Sequence, residues 1–408
     1  MSNPLEGKRI VLGVTGSIAA YKAADLASKL TQQGAEVDCI LTESAQKFVQ
    51  PITFQSVTGR KAYTDKDLWE SEGHVVHIGL GHSADLLLIA PASASTLAKL
   101  AHGIGDNLLT VTALAATCPL VLAPAMDAGM YAHPATAHNV DILLQRGAIF
   151  IGPEPGRLAS GLIGKGRFSE PPTILAQVRF LFSRGGTLAG RKVLLTAGPT
   201  QEAIDPVRFI SNHSSGKQGF AIAQALLDEG AEVTLVSGPT RLEFPAGAEF
   251  IPVRSADEMK TAVMQHLADK DAFIGVAAVA DFKPASAVEE KIKKTGESMT
   301  LALAATEDIL KSVSLWRREA KKEMVVIGFA AETTNLYDHA VKKLREKDLD
   351  LIVANDVSLA EPVFGADQNK VTFLHADGQI DTYDWMSKYA VGEEIGRLLV
   401  NKLSTKQA

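Results

Sequence analysis

Lys8-Arg9-Ile10-Val11-Leu12-Gly13-Val14-Thr15-Gly16 and, far along the chain, Arg191-Lys192-Val193-Leu194-Leu195-Thr196-Ala197-Gly198 open two segments with one pattern. Each is an unbroken apolar run ending at glycine, followed by a helical stretch. Gly34-Ala35-Glu36-Val37 and Gly230-Ala231-Glu232-Val233 then stop the helix and start a second apolar run. Apolar strands that are continuous rather than alternating, and separated by helices, belong to parallel sheets covered on both faces. Ala19, Ala23, Leu26, Ala27 and Leu30 fall on one helical face, as do Ile222, Leu226 and Leu227. The pattern predicts an α/β protein of two Rossmann-like domains with parallel sheets. Further strands are predicted at Asp85–Ala90, Leu120–Ala123, Ala272–Ala277, Met324–Phe329 and Leu349–Ala354.

The stretch Ser183-Arg184-Gly185-Gly186-Thr187-Leu188-Ala189-Gly190 is small and polar and reads as a linker. It places the boundary between a domain of residues 1–188 and one of residues 189–408. A chain of 408 residues suits two cores better than one. A net charge of -6 with no long run of one sign argues against a general nucleic-acid role. The basic cluster Lys291-Ile292-Lys293-Lys294 still leaves room for one phosphorylated ligand. Cys39 and Cys118 lie in apolar, strand-like runs, so buried thiols, no disulfide framework and a reducing cytoplasm are expected. Met1–Arg9 is short and polar, and the run after it turns amphipathic too soon for a signal peptide. The uncharged Leu108–Met126 holds Pro119 and Pro124 and reads as a buried helix then a buried strand, with no membrane span.

Ligands of open parallel sheets sit beyond the carboxyl ends of the strands. In the first half those ends read Gly16-Ser17-Ile18, Thr42-Glu43-Ser44 and Ser93-Ala94-Ser95-Thr96. Small and hydroxyl-bearing residues there suit a flat, phosphorylated cofactor, and a helix N-terminus favours its phosphate. Pro124-Ala125-Met126-Asp127 follows another strand; Asp127 either faces the same cleft or caps the next helix. His77 stands among apolar residues, and spacing alone does not separate it from His74 and His82.

These segments resemble the homo-oligomeric flavin-containing cysteine decarboxylases, which include the phosphopantothenoylcysteine and lantibiotic peptide enzymes. The resemblance implies a flavodoxin-like flavoprotein domain. In it Gly16, Ser17, Ile18, Thr42, Ser44, Ser93, Ala94, Ser95, Thr96 and Ala125 hold FMN. It also implies His77 as catalytic base and Asp127 as the contact to the substrate carboxylate. The flavin oxidises the thiol, so that the electrons left by carbon dioxide have a sink. Two positions depart from the family. Asp127 stands where asparagine is usual, and Ser160, within Gly156-Arg157-Leu158-Ala159-Ser160-Gly161, stands where a flap cysteine acts as acid. A hydroxyl is a far weaker acid than a thiol. The departures leave an alternative: a flavin-binding first domain impaired in decarboxylation.

In the second half, Pro199 to Lys217 is a long loop bringing Arg208, Asn212, Ser214, Ser215, Gly216 and Lys217 to a helix start, an anion site by composition. The Walker spacing is absent. Gly275-Val276-Ala277-Ala278-Val279-Ala280-Asp281 ends a strand with small residues that admit a nucleotide and one acid. Residues 190–404 closely resemble the bacterial CTP-dependent phosphopantothenate–cysteine ligases. They share Thr196-Ala197-Gly198-Pro199-Thr200, Ile210 to Lys217, the 277–281 and 291–294 segments, Gly328-Phe329-Ala330-Ala331-Glu332-Thr333 and Ala354-Asn355-Asp356-Val357.

The resemblance implies that Gly275, Val276, Ala277, Asp281, Lys291, Glu307, Asp308, Ile309, Leu310, Phe329, Lys343 and Lys347 bind CTP. Asn212 would hold an acyl-cytidylate, with Arg208 assisting. Glu307 stands where proline is expected. Magnesium is expected, its ligands unread. The substrates implied are 4′-phosphopantothenate, L-cysteine and CTP, and the family assembles as homo-oligomers through both domains. A nicotinamide-dependent reductase is the competing class, but G-x-G-x-x-G and its following acid are missing.

Overall fold

The computed structural model describes residues 3–69, 75–293, 299–332, 336–356 and 365–404. His74, Lys294, Thr333 and Val357 lie outside the described residues. The chain forms two compact units, Ser2–Phe182 and Ser183–Ala408.

The first unit runs β1 (Arg9–Val14), α1 (Ala20–Gln32), β2 (Glu36–Leu41), α2 (Pro51–Thr58), β3 (Ala62–Tyr63), α3 (Val76–Ser83), β4 (Leu86–Ala92), α4 (Ala94–His102) and α5 (Leu108–Ala115). It continues through β5 (Leu120–Pro124), α6 (Ala128–Ala132), α7 (Pro134–Gln145), β6 (Ile149–Phe150), β7 (Glu154–Arg157), β8 (Ile163–Arg167) and α8 (Pro171–Ser183). The sheet order is β3-β2-β1-β4-β5-β6, and every pairing is parallel. Strand order reverses between β1 and β4, which opens a crevice at their carboxyl ends. α1 buries Ala20, Ala23, Leu26, Ala27 and Leu30 on the sheet; Ala19 is its N-cap. The uncharged stretch from Leu108 is the helix α5 and the strand β5, and among the described residues no helix is long and apolar enough to cross a membrane.

The second unit comprises β9 (Lys192–Ala197), β10 (Gln201–Ala203), β11 (Phe209–Ser211), α9 (Lys217–Asp228), β12 (Glu232–Ser237), β13 (Glu249–Pro252), α10 (Ala256–His266), β14 (Ala272–Gly275), β15 (Phe282–Pro284) and β16 (Leu303–Ala305). Then come α11 (Ile309–Glu319), β17 (Val325–Glu332), α12 (Leu336–Glu346), β18 (Leu351–Asp356), β19 (Gln368–Asn369), β20 (Val371–His375), β21 (Ile380–Thr382), β22 (Met386–Ser387) and α13 (Lys388–Ser404). Its sheet is ordered β13-β12-β9-β14-β17-β18-β20-β21, parallel until β20 and β21 close it antiparallel. β14 ends two residues before its predicted limit. The Val276 and Ala277 amides donate to Thr196 Oγ1 at 3.2 and 3.3 Å instead of continuing the ladder. β19 and β22 form a small antiparallel pair beside α13.

Two expectations change. The 183–190 stretch is not a loose spacer. Leu188 is 1% exposed, its amide donates to the Glu229 carbonyl at 2.7 Å, and Gly186 packs against the Glu229 backbone. The two units divide at Phe182/Ser183, where that stretch begins. Cys39 is buried as expected, but Cys118 is only half-buried. Burial raises the pKa of both thiols.

Candidate functional site

In the first unit the carboxyl ends of four strands form one continuous lip. The Thr42 amide donates to Val14 O at 3.1 Å, Thr15 N to Pro91 O at 3.3 Å and Ala125 N to Ala92 O at 3.2 Å, joining β2, β1, β4 and β5 in order. Thr15, 1% exposed, ties the switch point: Oγ1 donates to Pro91 O at 2.7 Å and accepts from Ser93 N at 2.9 Å. Gly16 allows the β2 loop to close in, since a Cβ there would lie 2.5 Å from Ser44 Cβ. Ser17 sits half-buried before α1, whose N-cap Ala19 offers no side-chain cap, and Ile18 is exposed. Ser93 caps α4 by accepting from Thr96 N at 3.3 Å and meets Thr96 Oγ1 at 3.1 Å. These two predicted cofactor contacts are thus bonded to each other, while Ala94 is half-buried and Ser95 exposed at the mouth. Thr42, Ser44 and Ala125 lie along the same lip.

Asp127 does cap α6, accepting from Gly129 N at 3.0 Å through Oδ1. Its other oxygen accepts a 2.6 Å hydrogen bond from Ser160 Oγ. Those bonds, Ser160's foremost, hold the carboxyl below its ordinary pKa. Ser160 lies on the connection of the β7–β8 hairpin. The base of the hairpin is fixed to the 126–128 segment: Met126 N donates to Gly166 O at 3.0 Å, and Gly164 and Gly166 approach too closely for side chains. His77 lies in the first turn of α3. Its Nδ1 is buried and meets no hydrogen-bond partner among the described residues. Among the described residues no hydrogen bond joins His77 to Asp127.

The second unit encloses a cavity of about 710 Å³. It is lined by Asn212, Gly275, Val276, Ala277, Asp281, Glu307, Asp308, Ile309, Leu310, Phe329, Lys343 and Lys347, residues read from five separate stretches of sequence. Gly275 packs closely under Leu310: a Cβ would lie 2.9 Å from Leu310 Cδ2, so that side chain would have to shift. Thr196 lines the wall, and Thr200 Oγ1 accepts from Ala280 N at 3.0 Å. Asn212 Nδ2 donates to Val279 O at 3.0 Å. Asp308 caps α11 and pairs with Lys347 Nζ at 2.7 Å, and Glu307 pairs with Lys260. Among the described residues no group of His, Cys, Asp or Glu is arranged to hold a metal ion.

Two predicted residues do not line this cavity. Arg208 and Lys291 stand outside it, and the structure shows why Arg208 does. Its guanidinium is bound by Asp205, with Nε to Oδ2 at 2.9 Å, and by the Ile292 carbonyl at 2.8 Å. Asp205 is buried and also accepts from Val207 N, Arg208 N and Ile292 N at 2.9, 2.8 and 3.1 Å. Arg208's bond, then the backbone amides, hold its carboxyl far below the ordinary range. Arg208 therefore braces the segment carrying Lys291. Lys217, read as one cation of an anion site, lines the cavity and donates to Gly365 O and Asp367 Oδ1, each at 2.7 Å.

Sequence reasoning missed Thr15, Asp205, Gln218, Asn369 and Lys388. Lys388 carried a signal: it begins α13, where the helix dipole disfavours a cation. It is 7% exposed, and burial, helped by Lys217, lowers its pKa against the pull of Asp367. Asn369 lies on a two-residue strand with no local signal at all.

A flavoprotein family model matches residues 1–183, and that of the DNA/pantothenate metabolism flavoprotein C-terminal domain matches residues 188–403. The coenzyme A biosynthesis bifunctional protein CoaBC of Bacillus subtilis (strain 168) is 48% identical over 394 residues, 96% of each chain. That of Vibrio vulnificus (strain CMCP6) is 44% identical over 92% of this chain and 93% of its own. The crystal structure of the C-terminal domain of a CoaBC protein shares 41% identity at a TM-score of 0.46, covering 54% of this chain and 99% of that one. With both family models in sequence order and near-half identity to a relative of equal span, the chain belongs to the family of bifunctional coenzyme A biosynthesis proteins.

Proposed function

We propose that the second unit joins 4′-phosphopantothenate to L-cysteine at the expense of CTP and that the first unit decarboxylates the product with FMN. A cytoplasmic homo-oligomer with magnesium on the nucleotide completes this reading. The observation that carries it is the single cavity into which five distant stretches, Asn212, 275–281, 307–310, Phe329 and Lys343/Lys347, converge. Its size suits a nucleotide with a small acid beside it. The bifunctional naming of the relatives supports the pairing of activities.

In this reading the pantothenate carboxylate attacks the α-phosphate of CTP, pyrophosphate leaves, and the cysteine amine displaces CMP from the mixed anhydride. Lys343 and Lys347 neutralise phosphate charge from the cavity wall, and Lys291 reaches in from the braced segment. Asn212 gives one Nδ2 hydrogen to Val279 O, which leaves the second to donate to the acyl carbonyl.

The first unit's lip fits a flavin mononucleotide. Gly16, Ala94 and Ala125 leave room for a flat ring, while Ser17, Thr42, Ser44, Ser95 and the start of α1 offer phosphate and ring donors. Ser93 and Thr96 secure the turn. When bound, the flavin supplies two-electron redox chemistry. Asp127 orients the substrate, and His77 takes up a proton on its ring. No protein neighbour among the described residues fixes the His77 tautomer through Nδ1. Ser160 brings a hydroxyl to Asp127.

An assay of the purified chain with 4′-phosphopantothenate, cysteine and CTP tests both halves. Pyrophosphate and carbon dioxide are expected in equal amounts. Pyrophosphate without carbon dioxide would support the impaired first domain, which the comparisons do not favour. Neither product would overturn the proposal.

A further inference from the structure

Asn369 lines the ligase cavity yet is 2% exposed, and its Oδ1 meets no donor among the described residues. Its orientation is fixed by a chain of bonds. Gln218 Nε2 donates to the Lys388 carbonyl at 3.0 Å. A backbone carbonyl only accepts, so Gln218 must turn its Oε1 the other way. Asn369 Nδ2 donates to that oxygen at 3.2 Å. The remaining end of Asn369 is therefore an oxygen, and flipping the amide would set two donors or two acceptors against each other.

A buried acceptor left unmatched is costly, so the native complex is expected to match it. Phosphate oxygens cannot, since they too accept. The lysines of the adjoining loop are also engaged: Lys217 on Gly365 O and Asp367, and Lys388 on Ala366 O. Beyond the described residues and ordered water, the remaining source is an N–H or O–H group of a molecule bound in the cavity.

We infer that Asn369 is a specificity-determining residue of the ligase reaction, its Oδ1 accepting a hydrogen bond from a donor group on a substrate. This rests on the ligase reading of the cavity. The donor is either the cysteine amine or a hydroxyl or amino group of the nucleotide or pantothenate. The shared chemistry is a neutral or cationic donor, never a phosphate.

Steady-state kinetics of the full chain, with each substrate varied in turn, tests it. Asn369→Leu keeps the shape and removes the acceptor. Loss of one hydrogen bond is expected to raise one KM by about tenfold, leaving the other two within about twofold. A rise for cysteine identifies the amine, a rise for CTP the nucleotide, and a rise for 4′-phosphopantothenate its hydroxyl. Gln218→Leu, which frees the amide to rotate, is expected to raise the same KM by a smaller factor. If the leucine variant does not fold, Asn369→Ala, which also removes the acceptor, carries the same expectation. Wild-type-like KM values for all three substrates in a folded Asn369 variant overturn the inference. An inactive wild type would instead overturn the ligase reading itself.

Discussion

Ser160 Oγ and Asp127 Oδ2 are 2.6 Å apart, and these are the two positions at which the chain departs from the decarboxylase pattern. The departures are one contact, not two accidents. Asparagine opposite serine would offer a neutral acceptor, whereas aspartate gives a charge-assisted bond that holds the hairpin connection over α6.

The sign of its pH dependence follows. Asp127's carboxyl is held below its ordinary pKa, by Ser160 first and Gly129 second. Its contribution is complete above the ordinary aspartate range near pH ~4 and disappears as pH falls through the lowered value. Limited proteolysis around residues 158–162 is expected to stay slow from neutral pH to about 5 and to quicken below about 4. Ser160→Ala is expected to quicken cleavage at neutral pH. Identical cleavage in wild type and variant would show that the bond does not secure the hairpin.

Thr15→Val removes a hydroxyl while keeping its shape. Pro91 O loses its side-chain donor and Ser93 N loses its acceptor, at a cost of about 1–3 kcal/mol. A lower melting temperature and weaker yellow flavin absorbance after desalting are expected. Full retention of flavin would mean that the switch point does not shape the cofactor lip.

Asp205→Ala is expected to lower kcat/KM of the ligase step about 10- to 100-fold, because the segment bearing Lys291 loses the Arg208–Asp205 anchor. Circular dichroism is expected to remain native. A wild-type rate would make Arg208 a contact with substrate rather than a brace.

Lys291→Gln is expected to slow pyrophosphate release. Asn212→Asp would set a carboxylate against the Val279 carbonyl, so cytidylate should form and cysteine capture should stall. Rapid-quench analysis separates the two steps. Equal loss of both steps in both variants would refute the assignment.

Much of this architecture was legible because parallel strands announce themselves as unbroken Val/Ile/Leu runs. Small residues after one of those runs, Gly275–Ala277, marked the second unit's cavity. What stayed hidden depends on contacts between distant segments. Asp205 looks like a turn residue until Ile292, far along the chain, donates to it. Arg208 reads as an anion ligand by composition, but a buried carboxylate three residues away already holds it. Asn369 matters only through Gln218 and Lys388, which no local pattern joins to it.

Leu188 gives a practical rule for anyone separating the two catalysts. Divided after Phe182, the later piece keeps the leucine that plugs its own floor beside Glu229. Divided after residue 188, it begins with an open apolar dent, and poor yield would then reflect a missing stopper rather than dependence on its neighbour.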